Sequence, residues 1–203
     1  MKKVKEFCES GILESYVMGE ASPEESDIVE KMAAQYAEVQ KSIDDINDSL
    51  EEYAFAGAIT PDITVKPMLM ATIDYTERLK NGEVPAKPPL LGENSKIKDY
   101  EQWLNREDMV LPPDFKDIYA KIIGYTHNAV TTIVWIKDFT PSEIHHHEFE
   151  KFLIVEGECV ITVGDKAHKL VAGNFFSIPL HEYHDIKVVS TIPCKAILQR
   201  IAA

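Results

Sequence analysis

Between Ser142 and Glu158 the chain reads SEIHHHEFEKFLIVEGE, three consecutive histidines set among acidic residues ahead of an apolar run. Imidazole nitrogens and carboxylate oxygens together ligate first-row divalent ions, and such mixed donors suit zinc, with iron, manganese or nickel as alternatives. A histidine run alone is also what a solvated turn looks like, so the downstream sequence matters. Gly157 follows Glu150 after six residues, and GNFFSIPLHEYH then sets Gly173, five residues, Pro179 and, further on, His184. His145, His146 and His147 are the candidate imidazoles of this stretch. Alternation along a strand puts His146, Glu148 and Glu150 on one face, whereas a bulge at the strand start turns His145 inward instead. The choice among the three histidines stays open at this level. His127 and His168 read as turn or surface residues, and Cys159 and Cys194 as small core residues.

Donors this far apart in sequence must be gathered by a fold. From Ile118 onward the chain breaks into short runs, among them IYAKIIG, VTTIVWIKDF, FLIVEG, CVITVG and CKAILQRIA, separated by turns. Eight or so short strands in such a length predict a β-sandwich or barrel of jelly-roll type. A barrel points side chains of separate strands into one interior, which is how His184 would meet Glu150. The spacing resembles the two cupin motifs, G-x5-H-x-H-x3,4-E-x6-G and G-x5-P-x-G-x2-H-x3-N. The second is matched at Gly173, Pro179 and His184, with His181 in place of the glycine and Val188 in place of the asparagine. Counting back from Glu150, His146 falls on the second histidine of the first motif and Ile144 on the first. The resemblance implies a metal-binding double-stranded β-helix whose ligands are Glu150, His184 and one or two of His145, His146 and His147.

The first part of the chain has a different period. Ser22-Pro23-Glu24-Glu25 has the pattern of a capped helix start. After it, Val29, Met32, Tyr36, Val39, Ile43, Ile46, Leu50 and Tyr53 recur at steps of three and four. This is one apolar stripe, on one long helix or on two broken near Gln35–Glu38. A short helix with Ile12, Leu13, Tyr16 and Val17 precedes it, stopped by Gly19, and another is expected around Pro67–Lys80. The expected organisation is α+β and multidomain: a small helical domain over 1–80, a proline-punctuated linker region over 81–117 with one short helix near Lys98–Asn105, and the cupin barrel over 118–203.

Composition excludes some functions. The formal charge of −13 disfavours direct nucleic-acid binding, and residues 1–60 hold 14 acidic against 5 basic side chains, net −9. That balance suits a basic protein partner. No apolar run of membrane-spanning length occurs, and the start MKKVKEFCESG lacks the apolar stretch of a signal peptide, so a cytoplasmic location is expected. Three scattered cysteines form neither a disulfide framework nor a thiolate zinc site. Nucleotide-binding and serine-hydrolase motifs are lacking.

The segment from Ile12 to Ala54, opening L-x-x-Y-x-x-G-x-x-S-P-E-E, resembles the helical domain of anti-sigma factors. A helical anti-sigma domain followed by a cupin is the layout of the ChrR-type group. The resemblance implies that the helical half sequesters an extracytoplasmic-function sigma factor while the cupin senses a signal. Many members of that group carry a zinc motif H-x3-C-x2-C in the helical half. Here Met32, Tyr36 and Val39 stand on the stripe instead, so hydrophobic packing is expected where the relatives hold zinc. The alternative is a metal-dependent cupin enzyme, a dioxygenase or isomerase, with the helices as an arm for homodimerisation.

Overall fold

The computed structural model describes residues 2–203 and falls into two compact units, divided in sequence between Thr60 and Pro61. The first unit contains four helices: α1 (Lys2–Cys8), α2 (Ile12–Val17), α3 (Pro23–Gln35) and α4 (Ala37–Ala56). At the start of α3 the Ser22 hydroxyl accepts from the Glu25 amide at 3.2 Å, and the Glu25 carboxylate accepts from the Ser22 amide at 2.8 Å. This reciprocal cap, with Pro23 just inside the helix, satisfies two amides that would otherwise lack partners. The stripe runs over two helices, separated at Tyr36, which is extended (φ −129°, ψ 110°). Val4, Leu13, Val29, Val39 and Ile43 form the core of this unit, with Met32, Tyr36 and Ile46 packed against it. The first half of the stripe is thus the unit's own interior, while Tyr53 stays 82% exposed and Phe55 69%.

The second unit begins with α5 (Val65–Lys80), followed by a 3-10 turn (Ile97–Tyr100) and the single turn α6 (Glu101–Leu104). Nine strands follow: β1 (Ile118–Tyr125), β2 (Ala129–Ile136), β3 (Phe139–Glu143), β4 (Glu148–Glu156), β5 (Glu158–Val163), β6 (Lys166–Val171), β7 (Phe175–Ile178), β8 (His184–Val188) and β9 (Cys194–Ala202). They form two antiparallel sheets, ordered β1-β2-β9-β4-β7 and β3-β8-β5-β6. Alternate residues of each strand face inward and build one core, including Val134, Ile136, Phe152, Ile161, Ile186 and Leu198. Gly157 joins β4 to β5 with φ 76°, and a Cβ there would lie 2.9 Å from Ser190 Oγ and 3.0 Å from the Pro193 carbonyl oxygen. Only glycine fits that turn without strain.

Two of the expected boundaries differ from the structure. Helix α5 belongs with the barrel and not with the helices before it: Ala71 and Tyr75 pack against Ala120 and Ile122 of β1. Asp74 pairs with Lys121 at 2.7 Å and with Arg78 at 2.9 Å, and Arg78 donates to the Ile122 carbonyl. The physical reason is that an amphipathic helix needs an apolar surface, and the edge strand β1 supplies one next in space.

Residues 81–117 are likewise no spacer. Between the prolines, Leu91, Tyr100, Trp103 and Met109 are buried against Ile123, Ile133, Trp135, Leu153 and Ile197, the outer face of the larger sheet. Buried Gln199 fixes this covering: its Oε1 accepts from the Leu91 amide at 2.7 Å, and its Nε2 donates to the Pro89 carbonyl at 2.7 Å and to Thr131 Oγ1 at 3.0 Å. Gly124 lets Pro88 approach, since a Cβ at 124 would stand 2.2 Å from Pro88 Cδ. Among the described residues no helix is long and apolar enough to cross a membrane.

Candidate metal centre

Glu143, His145, Glu150 and His184 each place one donor atom within 4.8 Å of the others'. Glu143 ends β3 and is paired with His184 at the start of β8; Glu150 lies on β4, in the other sheet. His145 belongs to neither strand, since β3 ends at 143 and β4 starts at 148. Strand alternation therefore does not govern the histidine run. The four-residue connection turns His145 inward, its side chain only 12% exposed, and leaves His146 and His147 exposed. His146 instead sets its Nδ1 2.9 Å from Nδ1 of His181, a residue with φ 64° at the position the motif gives to glycine.

Glu150 and His184 are the buried members, with side chains each 1% exposed and His184 Nε2 3.1 Å from Glu150 Oε2. His145 Nε2 lies 3.6 Å from Glu143 Oε2 and 3.6 Å from Glu150 Oε2, too far for hydrogen bonds, and it is buried without a partner. Around these donors the polar contacts are arranged to orient them. His184 Nδ1 is 3.3 Å from the Glu182 carbonyl, which leaves Nε2 for the cluster. Arg200 donates from Nε to Glu150 Oε1 at 2.9 Å, leaving Oε2 to face the histidines, and reaches Glu143 at 3.5 Å and Glu148 at 3.7 Å.

Burial alone would raise the Glu150 carboxyl, but His145, His184 and Arg200 outweigh it and hold the group well below the usual carboxylate range. Burial likewise opposes charge on His184, yet Glu143 and Glu150 overcome it and raise the imidazole to about 9. Glu150 also raises His145, against desolvation.

The donor set fits a divalent first-row ion. Ligand atoms about 2.1 Å from a tetrahedral centre stand about 3.4 Å from one another; the four donor atoms, one per residue, lie within 4.8 Å of one another, so small side-chain movements would bring them onto an ion. The orphaned His145 nitrogen has no other use in the fold. Glu143 was not among the ligands expected from sequence, although a signal for it exists. With four residues before Glu150 instead of three, the first motif reads Glu143-x-His145-x4-Glu150, with glutamate in place of the first histidine.

Residues 133–199 match the family model described as Cupin domain. With the two-sheet topology this defines the C-terminal, stranded part of the chain as a cupin domain, preceded by a helical region. Solved structures similar to part of the chain include a cupin superfamily protein from Desulfitobacterium hafniense (15% identity, 59% of this chain and 100% of that one, TM-score 0.43). Another is a protein from Thermotoga maritima titled a predicted oxalate decarboxylase (17%, 42% and 81%, 0.41). A third is the cupin domain of Cnp3 from Schizosaccharomyces pombe (14%, 44% and 67%, 0.42). A search of curated proteins gave no match.

Proposed function

We propose that the chain is an anti-sigma factor in which a metal-holding cupin is the sensory part and the helical unit binds an extracytoplasmic-function sigma factor. The observation that carries the reading is the surface of the first unit. Once Val29, Val39 and Ile43 have been used in its core, the chain still exposes Leu50, Tyr53, Phe55 and Ile59 at and just beyond the end of α4. These lie among Asp48, Glu51 and Glu52. An apolar helix end rimmed by acids suits a groove on a basic protein, the apolar residues anchoring and the charges steering.

In the barrel, Glu143, His145, Glu150 and His184 would hold the ion, and Arg200 would balance the carboxylate charge that remains. The ion when bound supplies a positive centre for these carboxylates. The interior cavity lined by Glu143 and Glu150 has a volume of about 30 Å³, room for about one water.

The test is capture of sigma factors from the native cell with wild-type protein and a Tyr53→Asp variant, the bound chains identified by mass spectrometry. Tyr53 lies outside the core, so the variant keeps its helicity. An extracytoplasmic-function sigma factor retained by wild type and lost from the variant supports the reading; none retained by wild type overturns it.

A further inference from the structure

A second cavity, of about 520 Å³, lies between α5 and the barrel, and none of Glu143, His145, Glu150 and His184 lines it. Met68, Tyr75 and Leu79 of α5 form one wall, and Ile122, Val130 and Leu198 of the strands form the other. Its size and apolar walls are those of a small-molecule site. Tyr75 adds a specific polar feature. The residue is 6% exposed, and its hydroxyl, near the Tyr125 main chain, is buried with no hydrogen-bond partner. A hydroxyl so placed gives up its penalty of about 1–3 kcal/mol only by pairing, and its proton is free for a partner within the cavity. Thr72 and Thr76, which also line the space, already donate to Met68 and Thr72 carbonyls of their own helix.

Arg200 and Glu148 close one end of the cavity. Arg200 faces three carboxylates, Glu143, Glu148 and Glu150, so no free positive charge is available to hold an anion.

We infer that this cavity binds an uncharged, largely apolar small molecule whose one hydrogen-bonding oxygen is held by the Tyr75 hydroxyl. The inference rests neither on the ion nor on the sigma factor. The ligand would lie against the barrel side of α5, within the second unit.

The probe for the test is prodan, a neutral naphthyl ketone whose emission reports both an apolar environment and a hydrogen bond to its carbonyl. Full-length protein is expected to bind it saturably with a blue shift. Thr76 is exposed at the rim, so Thr76→Trp fills the space without disturbing the core, and it should abolish binding. Tyr75→Phe should weaken binding by about tenfold, one hydrogen bond's worth, with the fold unchanged by circular dichroism. Metal content, measured on the same samples, should be unchanged in both variants. Absence of saturable binding, binding that survives Thr76→Trp, or equal affinity in Tyr75→Phe overturns the inference. Protein that binds prodan as expected but takes up no metal overturns the metal reading alone.

Discussion

His184 has a proton to lose before its Nε2 can ligate an ion. Its neighbours Glu143 and Glu150 raise it to about 9 in the metal-free chain, above the ordinary value near 6.5. Metal binding at neutral pH should therefore release protons, and apparent affinity should climb as pH rises toward about 9. Calorimetry in buffers of different ionisation enthalpy checks this, a buffer-independent heat being the contrary result. The same shift bears on stability. Because the folded-state value exceeds the unfolded one, the stabilisation from the His184 charge in chelator-treated protein is fully present below about 6.5 and lost as pH rises through about 9. Melting curves across that window should separate chelated from metal-loaded protein, the loaded form showing the smaller decline. At single positions, Glu143→Gln and His145→Ala should each lower metal content sharply, and His146→Ala should leave it nearly unchanged, as read by elemental analysis. Glu150 and His184 were legible because the motif spacing names them. Glu143 and the selection of His145 were not, because the motif allows three or four residues before Glu150 and has histidine where Glu143 stands, and the connection between the strands does not follow strand alternation.

Elements that read as punctuation turn out to be packing. The proline-marked stretch over 81–117 looks like a spacer because prolines and polar residues dominate it, while its apolar residues have no regular period. Leu91, Tyr100, Trp103 and Met109 nevertheless cover one face of the larger sheet, and their partners lie far along the chain. Period reveals a helix or strand, but a covering loop has none to show. Gln199→Ala would strip the Leu91 amide of its acceptor in a buried place, at a cost of about 2 kcal/mol or more. Gly124→Ala would drive a methyl into Pro88 and cost about 1–3 kcal/mol. Urea titrations should show both midpoints falling; an unchanged midpoint in Gln199→Ala would mean that the loop is not held as described. The capped start of α3, by contrast, was readable from Ser22-Pro23-Glu24-Glu25, while the stripe left one long helix or a break near Gln35–Glu38 open and the structure has the break, at Tyr36.

Taken as a whole, the chain divides near residue 60 and not near 80. The expected edge failed because α5 carries an amphipathic pattern like those before it, and pattern does not say which surface a helix will cover. A fragment of 61–203 should fold cooperatively and hold metal as the full chain does. A fragment of 118–203, stripped of α5 and of residues 81–117, exposes Ile122, Ile133, Trp135 and Ile197 and should aggregate or melt far lower, as light scattering and circular dichroism will show. The placement of the four donors has a further consequence. Glu143 and His184 come from one sheet and Glu150 from the other, so a bound ion acts as a rivet between them. β3 is the outermost strand of its sheet, hydrogen-bonded on one side only, with an interrupted register just before Glu143. Pulling the rivet should let this strand breathe first: on chelation, amide deuterium uptake should quicken across 139–143 while β9, flanked by strands on both sides, keeps its protection. The presence of the ion would then be written in the local opening rate of one edge strand, with the barrel as a whole still closed.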